Sequence, residues 1–139
     1  MSGYCTGQDL VSRFGLDRVL ERADRDGDGT PDADVIGMAI ADAGAEIDGY
    51  LAARYPLPLA TVPELLVRVA STLAFATLFG AEAPEGVRAL RTDAVRILQD
   101  LASGRVTLGG PDVAAPASRL EVAASAPVAV FDAKTLRGF

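Results

Sequence analysis

The residues best suited to chemistry are acidic, and they lie in one short segment. Four aspartates between positions 24 and 32 alternate with other residues, and Gly29 stands where a calcium loop needs its tight bend. A calcium ion takes six to eight oxygen ligands from carboxylates and carbonyls. The pattern predicts a calcium loop with these ligands: Asp24, Asp26, Asp28, the carbonyl group of Thr30 and Asp32.

This segment departs from the standard EF-hand loop and has a second interpretation. An EF-hand loop that starts at Asp24 needs a bidentate Glu at its twelfth position, where Val35 stands. The sequence still allows a shorter calcium loop in which Asp32 is the last ligand. The alternative is that the aspartates only hold a tight turn, with Asp32 or Asp34 capping the next helix. If calcium binds, we expect it to stiffen the link between the N-terminal hairpin and the long helix and not to serve catalysis.

Catalytic side chains are scarce in the sequence. The chain contains no histidine, so it has no histidine base and no Ser-His-Asp or Cys-His arrangement. Cys5 lies near a terminus that we expect to be mobile, with no histidine to activate its thiol. The pair Asp42 and Glu46 is expected to lie solvated on a helix face. We therefore predict that the protein is not an enzyme, and that it requires no cofactor beyond the calcium that the loop would suit.

The composition and the capping signals predict a mainly α-helical fold. Half of the residues are hydrophobic but only 6% are aromatic, so small and aliphatic side chains must fill the core. Thr6 with Asp9, and Thr61 with Glu64, have the spacing of capping boxes. We predict a bundle of four to five helices: one after Thr6, then Asp17 to Ala23, Ala33 to Arg54, Thr61 to Phe79 and Pro84 to Ser103.

Apolar positions that recur every three or four residues predict the buried faces. The long helix carries such a stripe, and the following helix, apolar nearly all round, should be central. The uncharged stretch Val69 to Ala81 is too short to span a bilayer, and we expect no membrane contact. The stripes are Ile36, Ile40, Ala43, Ile47 and Leu51, and then Val87, Leu90, Ala94, Ile97, Leu98 and Leu101.

The chain changes character after the last predicted helix. We divide it into a helical domain at 1–103 and an extended C-terminal arm at 104–139, which is rich in Ala, Pro and Ser and carries short β-prone pieces. An apolar arm with little periodicity suits docking, either on its own body or on a neighbouring copy. The predicted partner-binding residues are Val128, Val130, Phe131, Leu136 and Phe139.

The whole chain resembles the small head–tail connector (neck) family of Mu-like tailed bacteriophages. The order and spacing of the matching pieces make chance similarity a poor explanation. They are Tyr4-x-Thr6-x-x-Asp9-Leu10-x-x-Arg13-Phe14-Gly15, Asp24-Arg25-Asp26-Gly27-Asp28-Gly29, Ala41-Asp42-Ala43-x-Ala45-Glu46-Ile47-Asp48-Gly49-Tyr50-Leu51, Arg54-Tyr55-Pro56-Leu57-Pro58-Leu59, and Val130-Phe131 with Thr135-Leu136-x-Gly138-Phe139.

The resemblance implies a structural virion protein of the neck. Such an adaptor is made in the host cytoplasm, docks below the portal protein as a ring of plausibly twelve copies, and meets a tail terminator or neck completion protein on its other face. Double-stranded DNA passes through the lumen without specific binding. The net charge of −6 fits this role, because a chain that grips phosphates should be basic. The alternative function is a monomeric calcium-binding interaction module that uses the loop from Asp24 to Asp32.

Overall fold

The computed structural model describes residues 3–108, and this part of the chain is mainly α-helical, as the sequence predicts. Within it there are five α-helices and one short 3-10 helix, and no strand. The arm residues predicted to bind partners lie outside the described residues. The helices are α1 (Gly7–Phe14), α2 (Leu16–Ala23), α3 (Ala33–Leu51), α4 (Glu64–Phe79) and α5 (Glu85–Ser103), with the 3-10 turn at Gly80–Glu82 between the last two.

Helices α1 and α2 form a short N-terminal hairpin. The predicted capping box begins α1: the Asp9 amide donates to the Thr6 hydroxyl at 3.2 Å, and the Thr6 amide donates to the Asp9 carboxylate at 2.8 Å. Gly15 separates the two helices with a φ of 95°, a conformation that glycine adopts without strain. One α1 residue, Leu10, and two α2 residues, Val19 and Ala23, are buried, so the hairpin lies on the core.

Helix α4 is the centre of the fold and contacts each of the other α-helices. It begins at Glu64, with Pro63 in the cap position, two residues later than a cap at Thr61 would place the start. The Glu64 carboxylate forms an ion pair with Arg13 of the hairpin. Phe75 of α4 stacks on Phe14 with 4.1 Å between ring centroids. These contacts fasten the hairpin to α4.

One helical stretch among the described residues, Glu64–Glu82, is long and apolar enough to cross a membrane when judged by length and composition alone. Half of its most apolar window is buried inside the fold. The core helix of a folded domain has the same length and composition, and the buried residues of α4 identify it as that core helix.

Helix α3 ends at Leu51, three residues before the predicted end at Arg54. The chain then turns, and Tyr55 is buried. The Tyr55 hydroxyl accepts a hydrogen bond from the amide of Leu108 at 3.3 Å, and the Leu108 side chain is itself buried. The segment that follows α5 is therefore tied back to the body up to the last described residue.

Helix α5 packs on α3 and α4 through a narrower stripe than the sequence predicts. Val87, Ala94, Leu98 and Leu101 are buried as expected, but Leu90 is 42% exposed. It lies in a shallow surface pocket beside Arg68, Val69 and Thr72 of α4, and the prediction that it faces the core is wrong. Much of the α5 surface is consequently open to solvent. Gly104 ends the helix in the left-handed conformation, as expected.

Candidate functional site

The acidic loop between α2 and α3 is held by hydrogen bonds from its own backbone. Both oxygens of the Asp24 carboxylate accept: the amides of Gly27 and Asp28 donate to one at 2.8 and 3.1 Å, and the amide of Gly29 donates to the other at 2.9 Å. Gly27 and Gly29 have φ values of 75° and 85°, which explains why glycine stands at both positions. Asp24 therefore organises the turn.

The remaining aspartates of the loop are also engaged. The Asp28 carboxylate accepts from the amide and the hydroxyl of Thr30, both at 2.9 Å. The Asp32 carboxylate accepts from the amide of Arg25 at 2.9 Å. Asp32 is the cap residue of α3, but no side-chain hydrogen bond caps that helix, and Asp34 lies inside its first turn. Asp32 thus stands at the predicted cap position and Asp34 adds negative charge to the first turn, but the Asp32 side chain closes the loop and does not cap the helix.

The carboxylates of the loop influence one another. The hydrogen bond from Gly29, together with those from Gly27 and Asp28, lowers the pKa of Asp24. The hydrogen bond that Asp26 makes with the Asp24 side chain raises the pKa of Asp26, because two carboxylates that share a site favour one bound proton. A cation would relieve the same repulsion.

The spacing of these carboxylates suits one calcium ion. Oxygens of Asp24, Asp26, Asp28 and Asp32 lie within 4.8 Å of one another. Ligands on opposite sides of a calcium ion with bonds of about 2.4 Å are separated by a similar distance. Val35, at the twelfth position, packs against the core, so Asp32 would have to close the loop. The geometry fits a metal, but exposed acidic groups often cluster without one, and calcium binding, with the carbonyl of Thr30 as a further ligand, stays a prediction.

Cys5 is buried in the fold, which corrects the expectation that it lies in a mobile terminus. Burial raises the pKa of its thiol, and a raised thiol pKa lowers the fraction of reactive thiolate. Its neighbour Tyr4 is also buried and donates a hydrogen bond to Asp48 of α3. Burial and this hydrogen bond raise the pKa of Tyr4. The segment before α1 is thus part of the core packing.

Two exposed helix faces of opposite charge were not singled out by the sequence patterns. One lies on α3, where Asp34 and Asp42 flank the exposed Met38. The other lies on α5, where arginines line an open groove. Their signal in the sequence is an eight-residue spacing of like charges, which is easily read as an ordinary solvated surface.

The described residues form a small α-helical protein whose charged groups lie at its surface. Comparison with known proteins then gives the family. The chain belongs to the family described as Bacteriophage Mu, Gp36, which it matches over residues 4–126.

Two relatives show how far the similarity extends. The chain is 41% identical over 108 residues to Gene product J of Escherichia phage Mu, and the match covers 76% of either chain. It is 36% identical over 110 residues to the Mu-like prophage FluMu protein gp36 of Haemophilus influenzae, which covers 78% of this chain and 77% of the relative. The protein is thus a member of a family of Mu-like phage proteins.

Proposed function

We propose that this protein is a structural component of the virion neck: a connector that docks below the portal as a ring, joins the filled head to the tail and catalyses no reaction. Membership of a Mu-like phage family over most of the chain carries the proposal. The more specific role, that of a connector, is inferred from the motifs in which the sequence resembles small head–tail connectors.

The geometry of the body supports a role in assembly. The described chain folds back at its end, where Leu108 is buried against Tyr55. Thirty-one further residues follow, and their sequence holds the apolar positions Val128, Val130 and Phe131. A segment with such apolar, β-prone positions is suited to adding to a neighbouring subunit or to the portal. A body and an arm also give the two unlike patches that a closed ring needs in each subunit.

The charge supports a passage for DNA. Residues 3–108 carry sixteen acidic and ten basic residues, which is the same balance of −6 as the whole chain. A ring of such subunits would make few contacts with the DNA phosphates. Fewer phosphate contacts mean weaker electrostatic binding of the DNA as it passes. We infer that the double-stranded DNA moves through the lumen without being bound at specific bases.

Deletion of the gene from a phage that encodes this chain tests the proposal. The expected result is that DNA-filled heads and complete tails accumulate separately, as seen by negative-stain electron microscopy of induced lysates. Expression of the full chain from a plasmid should restore joined particles. Joined, infectious particles in the absence of the chain would contradict the connector role.

A further inference from the structure

The open groove on α5 is distinguished by its charge. It has a volume of about 440 Å³, and no acidic side chain lines it. From residue 85 to residue 105 the chain carries four arginines against three acidic residues, whereas from 24 to 48 it carries one arginine against eight. The residues that line the groove are Arg88, Arg91, Thr92, Val95, Arg96 and Gln99.

Arg91 of this groove is already paired with Glu46 of α3 at 3.0 Å, but the other two guanidinium groups have spare capacity. Arg88 is exposed and its side chain forms no ion pair or hydrogen bond within residues 3–108. Arg96 pairs with Asp93 at 3.3 Å, and both side chains are about two-thirds exposed, so solvent screens that pair. A carboxylate brought into the groove by a partner would find Arg88 free and Arg96 easily available.

Helix α3 presents a complementary stripe. Asp34, Met38 and Asp42 follow one another at intervals of four residues and therefore share one face of the helix. All three are exposed, and Met38 is 68% exposed. Neither carboxylate has an ion-pair or hydrogen-bond partner in the described part of the chain. Methionine is enriched at protein–protein interfaces relative to the rest of the surface, and the two unpaired carboxylates beside it are free to pair with cations of a partner.

The two faces match in spacing. Asp34 and Asp42 are eight residues apart, and so are Arg88 and Arg96. Eight residues of α-helix correspond to about 12 Å along the axis. Met38 lies midway along the acidic stripe, and Thr92 lies midway between the two arginines. A helix carrying the acidic stripe could thus place both carboxylates against both guanidinium groups at once.

We propose that the acidic stripe of α3 in one copy docks into the arginine groove of α5 in the next copy, and that this contact sets the register of the ring. The inference rests on the connector function proposed above and names the partner of that assembly. Both faces belong to one chain and differ from each other, which is what a head-to-tail contact in a closed ring requires. Charge complementarity of this kind mainly steers encounter and fixes orientation.

A disulfide cross-link between copies tests the contact directly. One full chain carries Met38→Cys, and a second, tagged full chain carries Thr92→Cys. The two chains are mixed, with and without the portal protein, and the mixtures are then oxidised. A cross-link between the two chains is expected, because both positions lie at the middle of the matched stripes. Chains with Val62→Cys in place of Met38→Cys are the matched control, and the unsubstituted chain controls for Cys5.

Charge reversal provides the second arm of the test. Arg88→Glu with Arg96→Glu in one chain, or Asp34→Lys with Asp42→Lys in the other, should each abolish the cross-link. A mixture in which each partner carries its reversed face should restore it, and restoration cannot result from misfolding. Circular dichroism of each variant checks that the helices persist.

The outcomes separate this inference from the function on which it rests. Size-exclusion chromatography with light scattering reports assembly independently of the engineered cysteines. Oligomers without the cross-link, or a cross-link that ignores charge reversal, overturn the proposed contact and leave the connector role intact. Absence of oligomers, both alone and with portal, contradicts the connector role itself. A gel mobility assay with DNA covers the remaining outcome. If the unsubstituted chain shifts DNA, the Arg88→Glu, Arg96→Glu variant does not, and assembly is the same for both, the groove faces DNA and the proposed contact is overturned.

Discussion

Asp24 is the residue on which the acidic loop depends, since its carboxylate accepts three backbone hydrogen bonds. Asp26 accepts one, from the amide of Asp28 at 3.2 Å, and its charge faces that of Asp24. We expect Asp24→Ala to lower the melting temperature clearly, and Asp26→Asn, the matched control, not to lower it at neutral pH. Thermal unfolding followed by circular dichroism measures both. Equal losses for the two variants would mean that Asp24 does not organise the turn.

Calcium binding is a separate prediction for the same loop. If the four carboxylates hold an ion, calorimetric titration with Ca²⁺ should release or absorb heat and the melting temperature should rise, because a ligand that binds the folded state stabilises it. Asp28→Asn should weaken both effects, since it removes a charged ligand. No heat and no shift would leave the loop with its turn-holding role alone.

Tyr4 should make the stability depend on alkaline pH. Its pKa in the folded state is raised above the ordinary value of 10.0 by burial and by the hydrogen bond to Asp48. Its contribution to the free energy of unfolding is therefore fully present below about pH 10 and is lost as the pH rises further, because the unfolded state ionises first. Urea unfolding from pH 8 to 11 should show this decline. Tyr4→Phe should flatten it, whereas an unchanged slope would contradict the assignment.

At the scale of the helices, the ends are set by backbone conformation, and two glycines show the contrast. Gly104 ends α5 with a φ of 87°, and a Cβ there would lie 2.9 Å from a guanidinium nitrogen of Arg54. Gly49 lies within α3 with open space around it. We expect Gly104→Ala to reduce the free energy of unfolding by about 1–2 kcal/mol, and Gly49→Ala to increase it by about 0.5–1 kcal/mol.

Chemical denaturation of both glycine variants measures the difference. A Gly104→Ala variant as stable as the parent chain would show that the end of α5 can relax without cost.

The helices themselves were predictable because their signals are local. The capping box of Thr6 and Asp9, the stop at Gly104 and the apolar stripe of α3 each lie within a few residues of the feature they specify. The start of α4 was not placed correctly by its capping pattern, because the helix begins at Glu64 with Pro63 in the cap position, two residues later than a cap at Thr61 would place it. The exposure of Leu90 likewise depends on how much of α5 is covered, which a helical period cannot show.

The candidate site was predictable in part, for the same reason. Alternating aspartates and glycines specify a local loop, and four of the five predicted ligands contribute carboxylates that meet there. The α3 stripe and the α5 groove depend on which faces the packing leaves open, so their complementarity became visible only in three dimensions. The predicted contact residues of the arm lie outside residues 3–108 and stay a prediction.

At the scale of the whole molecule, we expect the body to fold without the arm. The described helices share one core, and Leu108 already closes it against Tyr55. A chain truncated after Gly110 should therefore keep its helical circular dichroism and a cooperative melt, yet fail to restore joined particles in the deletion strain. An unfolded product would show instead that the arm contributes to the core.

Binding to the portal is the measurement that tests the connector role most directly. The full chain is mixed with the portal protein of the same phage, and the products are imaged by negative-stain electron microscopy beside each protein alone. We predict an added ring on one face of the portal, with several copies of the chain per portal ring. Portals that stay bare while the chain remains a monomer would contradict the account.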